Sequence, residues 1–278
     1  MTLHDYYLSE ASLSRNQELK VGNLKRQILN NILKEKNSTM FYPLKDDLKD
    51  LPNNSILFKI SFTLKKPYTS KDEGEFHIID DGRDIRIFEN PIVKDKFLGC
   101  PIVRPSTWKG HLRFASENVE WEEKEKIIKR LFGSKPQDEN TLKGRLYFFS
   151  TFFKENGVRD VITPLDRKKR TPTRGPINLE VMKAGTNGEF YLLYLPYPNG
   201  NEFNEKEVKE DLTFLADALK LMFYIYGFSA KKTSGFGVIE EKLKEGKIWV
   251  KSGTNIMEKS FSKLDEVKNK IRELGWEQ

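Results

Sequence analysis

Residues that hold small proteins together covalently or through metal are scarce here: among 278 residues there is one cysteine, Cys100, and there are three histidines, His4, His77 and His111. A single cysteine excludes an intramolecular disulfide and any cysteine-based zinc cluster within the chain. Three scattered histidines argue against a histidine-rich metal cage. Long apolar runs are missing too. Stretches such as Phe190 to Leu195 and Leu219 to Ile225 fall far short of the roughly 20 residues of a membrane span. The opening MTLHDYYLSE lacks a basic-then-apolar signal pattern. The expectation is a cytoplasmic protein with no membrane partner.

Charge, in contrast, is plentiful. Lys and Arg total 48 against 41 Asp and Glu, a net +7, which excludes a strongly acidic partner-mimic. A hydrophobic fraction of 37% with 12% aromatics rules out wholesale disorder. The length fits one large domain or two small ones and suffices for a real core.

Along the chain, residues 1–54 read as a polar helical extension, with Ser14 capping a helix that carries Leu19, Leu24, Ile28 and Ile32. Alternation then takes over. Ile56, Phe58, Ile60, Phe62 and Leu64 fall on one face and Lys59, Ser61 and Thr63 on the other, a half-buried strand. Thr69 to Asp84 is acidic and loop-like, with EFHIID able to pair briefly as a strand. Ser106 is expected to cap a helix with Trp108, Leu112 and Ala115 inward, and a second helical segment runs from Trp121 to Phe132. Aromatic strands at 144–153 and 189–197 flank a basic connector; the clearest helix follows at 205–226, then the loop SAKKTSG, a strand FGVIEEKL and a last helix from about Ser262 to Leu274. Strand, helix, strands, helix, strand is the order of a ferredoxin-like α+β domain. Expected units are an extension at 1–54, the domain at 55–246 with an insertion at 158–176, and a C-terminal strand and helix at 247–278. There is no internal repeat.

Two segments carry candidate chemistry. In AKKTSGFGVIEE, Gly235 and Gly237 can present successive N–H groups as an anion nest beside Ser234, with Lys231 and Lys232 adding attraction to phosphate. In PSTWKGHLR, Lys109 and Arg113 lie on the first turns of a helix whose free N–H groups suit phosphate. Either segment alone also fits an ordinary turn or capped helix with solvated cations. GxxxxGK[ST] is absent, so this is not a Walker P-loop.

Taken together, the strand Ile56 to Leu64, NPIVKD…GCPIVRPSTWKGHLR, RLFGS at 130–134 and AKKTSGFGVIEE resemble the RAMP superfamily in order and spacing over residues 55–243. The look-alikes within it are backbone-type subunits of type III CRISPR effector complexes, the Csm and Cmr assemblies. The resemblance implies an RRM-like, ferredoxin-like core that binds CRISPR guide RNA, self-associates along it beside other subunits, and meets target RNA. It also implies a thumb, here around Arg167, Lys168, Lys169, Arg170 and Arg174. Where the family motif reads IPGSS, this chain has Val103, Arg104, Pro105, Ser106 and Thr107, with Trp108 in place of a small aliphatic residue.

Subunits of this kind that cut target RNA place an Asp just before the "NP"; this chain has Glu89. A carboxylate there implies a divalent ion, Mg²⁺ or Mn²⁺, helping to activate a ribose hydroxyl. Asp80, Asp81 and Asp84 in IIDDGRD are rival candidates, and a non-catalytic acidic loop is the alternative. Two other functions stay open at this point: a stand-alone, metal-independent guide-processing ribonuclease using His77 or His111, and a non-cutting RRM-like RNA-binding module.

Overall fold

The structure, a computed structural model, describes residues 41–71, 77–80, 85–88, 90–96, 98–134, 137, 141–163, 166, 169, 171–172, 175–196 and 205–274. The helix expected after Ser14 lies outside the described residues. Of the extension, a 3₁₀ turn at Lys45–Asp50 is described. The strands in chain order are β1 (Ile56–Thr63), β2 (His77–Asp80), β3 (Ile85–Phe88), β4 (Ile102–Val103), β5 (Leu146–Phe148) and β6 (Thr151–Phe152). There follow β7 (Val158–Ile162), β8 (Ile177–Val181), β9 (Asn187–Tyr194), β10 (Glu245–Ser252) and β11 (Asn255–Phe261). The α-helices are α1 (Pro105–Glu117), α2 (Lys124–Phe132), α3 (Glu205–Lys220) and α4 (Val267–Arg272).

The alternation in β1 makes it the middle of a five-stranded antiparallel sheet of order β11-β10-β1-β9-β5. Its even positions sink into one face, where Ile56, Phe58, Ile60 and Phe62 have no exposure. There they pack with Phe190 and Leu192 of β9, Leu112 of α1 and Leu215 and Leu219 of α3. The described residues thus form a mixed α/β fold with α1 to α4 packed on one side of the sheet.

Several expectations shift at the level of local chemistry. Ser106 is not the cap of α1: Arg104 takes that place with extended backbone, and Pro105 opens the helix without any side-chain cap. Proline at the first helical position brings a preset φ and lacks only an N–H that would have been unpaired anyway. The aromatic run 144–153 is not one strand. β5 stays on the sheet beside β9, whereas β6 leaves it to pair with β4. Thr151 makes that step, since its hydroxyl donates to the Glu189 carbonyl at 2.6 Å and accepts from the Trp108 indole at 3.1 Å.

FGVIEEKL supplies only an isolated pairing of Leu64 with Ile239. The strand beside β1 is β10, because KIWVK buries Ile248 and Val250 while VIEE has Ile239 alone as a buried anchor. The expected boundary at 246 therefore falls inside a central strand. Within the acidic stretch, β2 pairs with β3 as a hairpin. The helix from 205 is α-helical to Lys220 and continues as a π-helical turn, Leu221–Tyr226, before Gly227. The last helix reduces to a 3₁₀ turn at Leu264–Glu266 leading into α4.

Between α2, α3 and the sheet sits a buried ionic network. The Arg145 guanidinium, 1% exposed, donates to Asp211 and Glu207, each at 2.7 Å. Arg130 donates to the other Asp211 oxygen at 2.8 Å and pairs with Glu210, and the Tyr194 hydroxyl donates to Asp211 at 2.9 Å. A buried carboxylate of this kind is tolerable only with such partners.

Candidate nucleic-acid interface

An RRM-like reading directs attention first to the open face of the sheet. That face is already occupied. Tyr42 stacks on Tyr191 with ring centroids 4.6 Å apart, and both join Leu48, Leu57 and Trp249 in a second buried cluster. The rest of the face alternates in sign: Lys59 pairs with Glu189 and Glu245, and Lys247 with Glu245 and Glu258. A cleft of about 320 Å³ there sets Lys154 and Lys244 against Glu155 and Glu189. Such a surface offers a polyanion little net attraction.

Cations gather instead where α1 meets the loop after Gly227. α1 buries Trp108, Leu112 and Ala115, so its opposite face turns Lys109 and Gly110 to solvent, with Arg113 half-buried. Trp108 sits edge-on to Phe190 at 4.7 Å and fills the centre of an aromatic cluster with Phe62, Phe223 and Phe228. That packing fixes the rotation of α1. The adjoining loop is shaped by two glycines facing each other. A Cβ on Gly227 (φ +71°) would lie 2.2 Å from the Phe236 carbonyl oxygen, and one on Gly237 (φ +80°) 2.7 Å from the Ser229 nitrogen. Only glycine allows this close approach.

The loop closes on α1 through Lys232, whose Nζ lies 3.6 Å from the centroid of the Phe114 ring. Phe114, 38% exposed, is in turn edge-on to Tyr226 at 5.1 Å. Among the described residues, no carboxylate pairs with Lys109, Lys231 or Lys232. Arg113 approaches Glu117 at 3.5 Å. Burial, helped by Lys232, pushes His111 down from its ordinary 6.5 to about 4, so its imidazole is neutral near pH 7.

The expected anion nest is not open. The N–H groups of Ser234, Gly235, Phe236 and Gly237 donate to the carbonyls of Lys231, Lys232, Lys231 and Pro67. Gly237 is a packing glycine, whereas a Cβ on Gly235 would meet nothing within 4 Å. What the loop offers to a ligand is therefore its lysine side chains. No local pattern singles out Phe114 and Tyr226, which lie far apart in the chain and meet because the π-helical turn runs beside α1.

The basic connector begins in β7 and ends in β8, which pair as an antiparallel hairpin stem. Lys169 is exposed, and its N–H donates to Asp166 at 2.7 Å; Arg167, Lys168, Arg170 and Arg174 lie outside the described residues. Asp81, Asp84 and Glu89 lie outside them as well, and Asp80 ends β2. Among the described residues no group of three or more His, Cys, Asp or Glu is placed to hold a metal ion.

Comparison with known proteins places this geometry in context. Residues 79–240 match the family model of the RAMP superfamily. A curated relative, "CRISPR system Cms endoribonuclease Csm3" of Streptococcus thermophilus, is 29% identical over 180 residues, 58% of this chain and 78% of the relative. Two solved structures are similar at 16% identity. One is a type III-B Cmr-beta complex bound to cognate target RNA, with TM-score 0.49, 88% of this chain and 81% of the other covered. The second is a Csm3–Csm4 subcomplex of a type III-A interference complex, with TM-score 0.47 and coverage of 80% and 96%.

Proposed function

The chain belongs to the RAMP superfamily, and from that premise we propose that it is a guide-RNA-binding backbone subunit of a type III CRISPR interference complex. The observation that carries the reading is Lys232 set over the ring of Phe114 beside Tyr226, with Lys231 next to it in the loop, Lys109 on the exposed face of α1, and no carboxylate paired with these lysines among the described residues. Lysines there meet phosphates, and an exposed ring supports stacking by an unpaired base. The sheet order β10-β1-β9-β5, with α1 and α3 as the intervening helices, supports a ferredoxin-like core with β11 added at the edge. The likeness to a CRISPR-system endoribonuclease, Csm3, supports RNA as a partner; the full partner set of this reading is guide RNA, target RNA, further subunits and other copies of this chain. A cytoplasmic location follows from that set.

Cutting of target RNA is the second part of the proposal. Asp81, Asp84 and Glu89 supply carboxylate oxygen, the donor that Mg²⁺ and Mn²⁺ prefer, and the ion would supply charge stabilisation at the ribose hydroxyl. The chain's own contribution is to bind and orient the RNA past that segment. The metal-independent processing alternative draws less support, because His111 is half-buried and neutral beside a cation. The test is mass photometry of the protein with single-stranded RNA of increasing length. Bound copies should increase in steps of constant RNA length. A single copy per RNA at every length defeats the backbone reading.

A further inference from the structure

Glu180 has no place in the proposed RNA contacts, yet it is one of the few fully buried carboxylates, 4% exposed. It lies on β8, in the hairpin stem. Its carboxylate accepts the Ile92 N–H at 3.0 Å and pairs with Lys94 at 3.2 Å. Its own N–H donates to the Asn90 carbonyl at 3.2 Å. One strand residue therefore grips Asn90, Ile92 and Lys94, the stretch directly after Glu89. Gly157 makes room for this, since a Cβ there would lie 2.7 Å from Oε1 of Glu180.

The same residue is joined to the RNA-facing loop. The Glu180 carbonyl accepts the Thr69 hydroxyl at 2.8 Å. Thr69 in turn exchanges two bonds with the buried hydroxyl of Ser229: its N–H donates to Ser229 Oγ at 3.0 Å, and Ser229 Oγ donates to its carbonyl at 2.9 Å. The Ala230 N–H also reaches that carbonyl at 3.1 Å. On either side, Pro67 accepts from Gly237 at 2.7 Å and Ser70 Oγ accepts from Val93 at 2.9 Å. Residues 67–70 thus form a spine bonded on one flank to the lysine loop and on the other to the hairpin stem and the Asn90–Lys94 stretch.

We propose that Glu180 is a positioning residue that binds three RNA-facing pieces, the lysine loop 229–237, the base of the β7–β8 hairpin and the segment 90–94, into one mechanical unit. The proposal rests on the RNA-binding reading for its biological use, but the unit itself is testable without RNA. Buried polar groups of this kind open together, because releasing one leaves the next unsatisfied.

The experiment is amide hydrogen–deuterium exchange on the full chain. Glu180→Ala removes the carboxylate that holds Ile92 and Lys94 but keeps the carbonyl that Thr69 bonds, so its effect must travel through the Val93–Ser70 bond. Exchange should speed up about tenfold to hundredfold in peptides covering 90–96 and by a smaller factor in 229–237, with β1 and β9 unchanged. Glu180→Gln keeps an acceptor for the Ile92 N–H and should restore most of the protection at 90–96. Ser229→Ala should open 90–96 from the other end. Should Glu180→Ala prove insoluble, Thr69→Val removes the hydroxyl bond to the Glu180 carbonyl while keeping the backbone bonds to Ser229, and the loss of that one link should loosen both flanks. The inference is overturned if Glu180→Ala or Thr69→Val loosens 90–96 while 229–237 exchanges as in the parent. RNA added in a parallel arm separates the two ideas: a protein that shows the coupled opening yet binds no RNA retains the unit and loses the RNA-binding reading.

Discussion

Arg130 and Arg145 lie inside a ring of carboxylates, with Asp211 shared between them and Glu207 and Glu210 completing the set. Lys231 and Lys232 lie in the loop beside α1 and Lys109 on the exposed face of α1; among the described residues the close partner they have is the ring of Phe114 under Lys232. Both groups are cationic and both adjoin helices of the same core. The difference is that the first is satisfied from within and the second is left for something else. A charge paired inside contributes to uniqueness of packing, even though the buried Arg145 Nε has no partner of its own among the described residues; an edge of unmatched charge contributes attraction at a distance, which salt weakens.

The comparison breaks most visibly at Asp211. Asp211→Ala leaves two arginines buried without their shared partner and should cost about 3–5 kcal/mol, read as a lower midpoint in urea unfolding. An unchanged midpoint would show the network to be dispensable. At the edge the effect should fall on binding and spare stability. Lys231→Glu with Lys232→Glu should weaken single-stranded RNA binding about tenfold to hundredfold in fluorescence anisotropy, with the melting temperature unmoved. The slope of log affinity against log salt should flatten by about 1.4, near 0.7 for each lost phosphate contact.

His111 sharpens the contrast through pH. Its folded pKa is depressed to about 4 from 6.5, so between these values the unfolded chain binds more protons and stability should fall as pH drops. The loss by pH 4 should be about 1–3 kcal/mol, and His111→Gln should remove that part of the slope in denaturant titrations from pH 7 to pH 4. The smallest effect belongs to Ser106. Since it caps nothing, Ser106→Ala should change stability by less than about 0.5 kcal/mol in the same assay; a loss near 1 kcal/mol would restore it as a cap.

Much of the fold was legible because periodicity reports burial directly. β1, the inward face of α1 and the stripe on α3 all follow from apolar spacing. The misread pieces share a different cause, in that side-chain hydrogen bonds or backbone contacts from distant segments decide them. Thr151 diverts a strand through Trp108 and Glu189, and Pro105 makes a serine cap unnecessary. The glycine loop is the clearest case. Its glycines were legible as a special turn, but whether they face a ligand or their own backbone depends on Gly227 meeting Phe236, a contact no local pattern encodes. The lysines beside them were legible as an attractive edge; the ring of Phe114 beneath one of them was not.

The position of β1 also has a consequence in time. Ile56, Phe58, Ile60 and Phe62 leave the ribosome early, but the two strands that flank them start at Asn187 and Glu245. At roughly 5–20 residues per second, β10 follows β1 by on the order of 10–40 s. For that interval a strand with four fully buried apolar side chains waits with at least one edge unpaired, the condition under which chains adhere to one another. Newly made copies should therefore depend on holding factors during synthesis far more than the finished protein does, and a chain cut short before Glu245 should be a substrate for degradation.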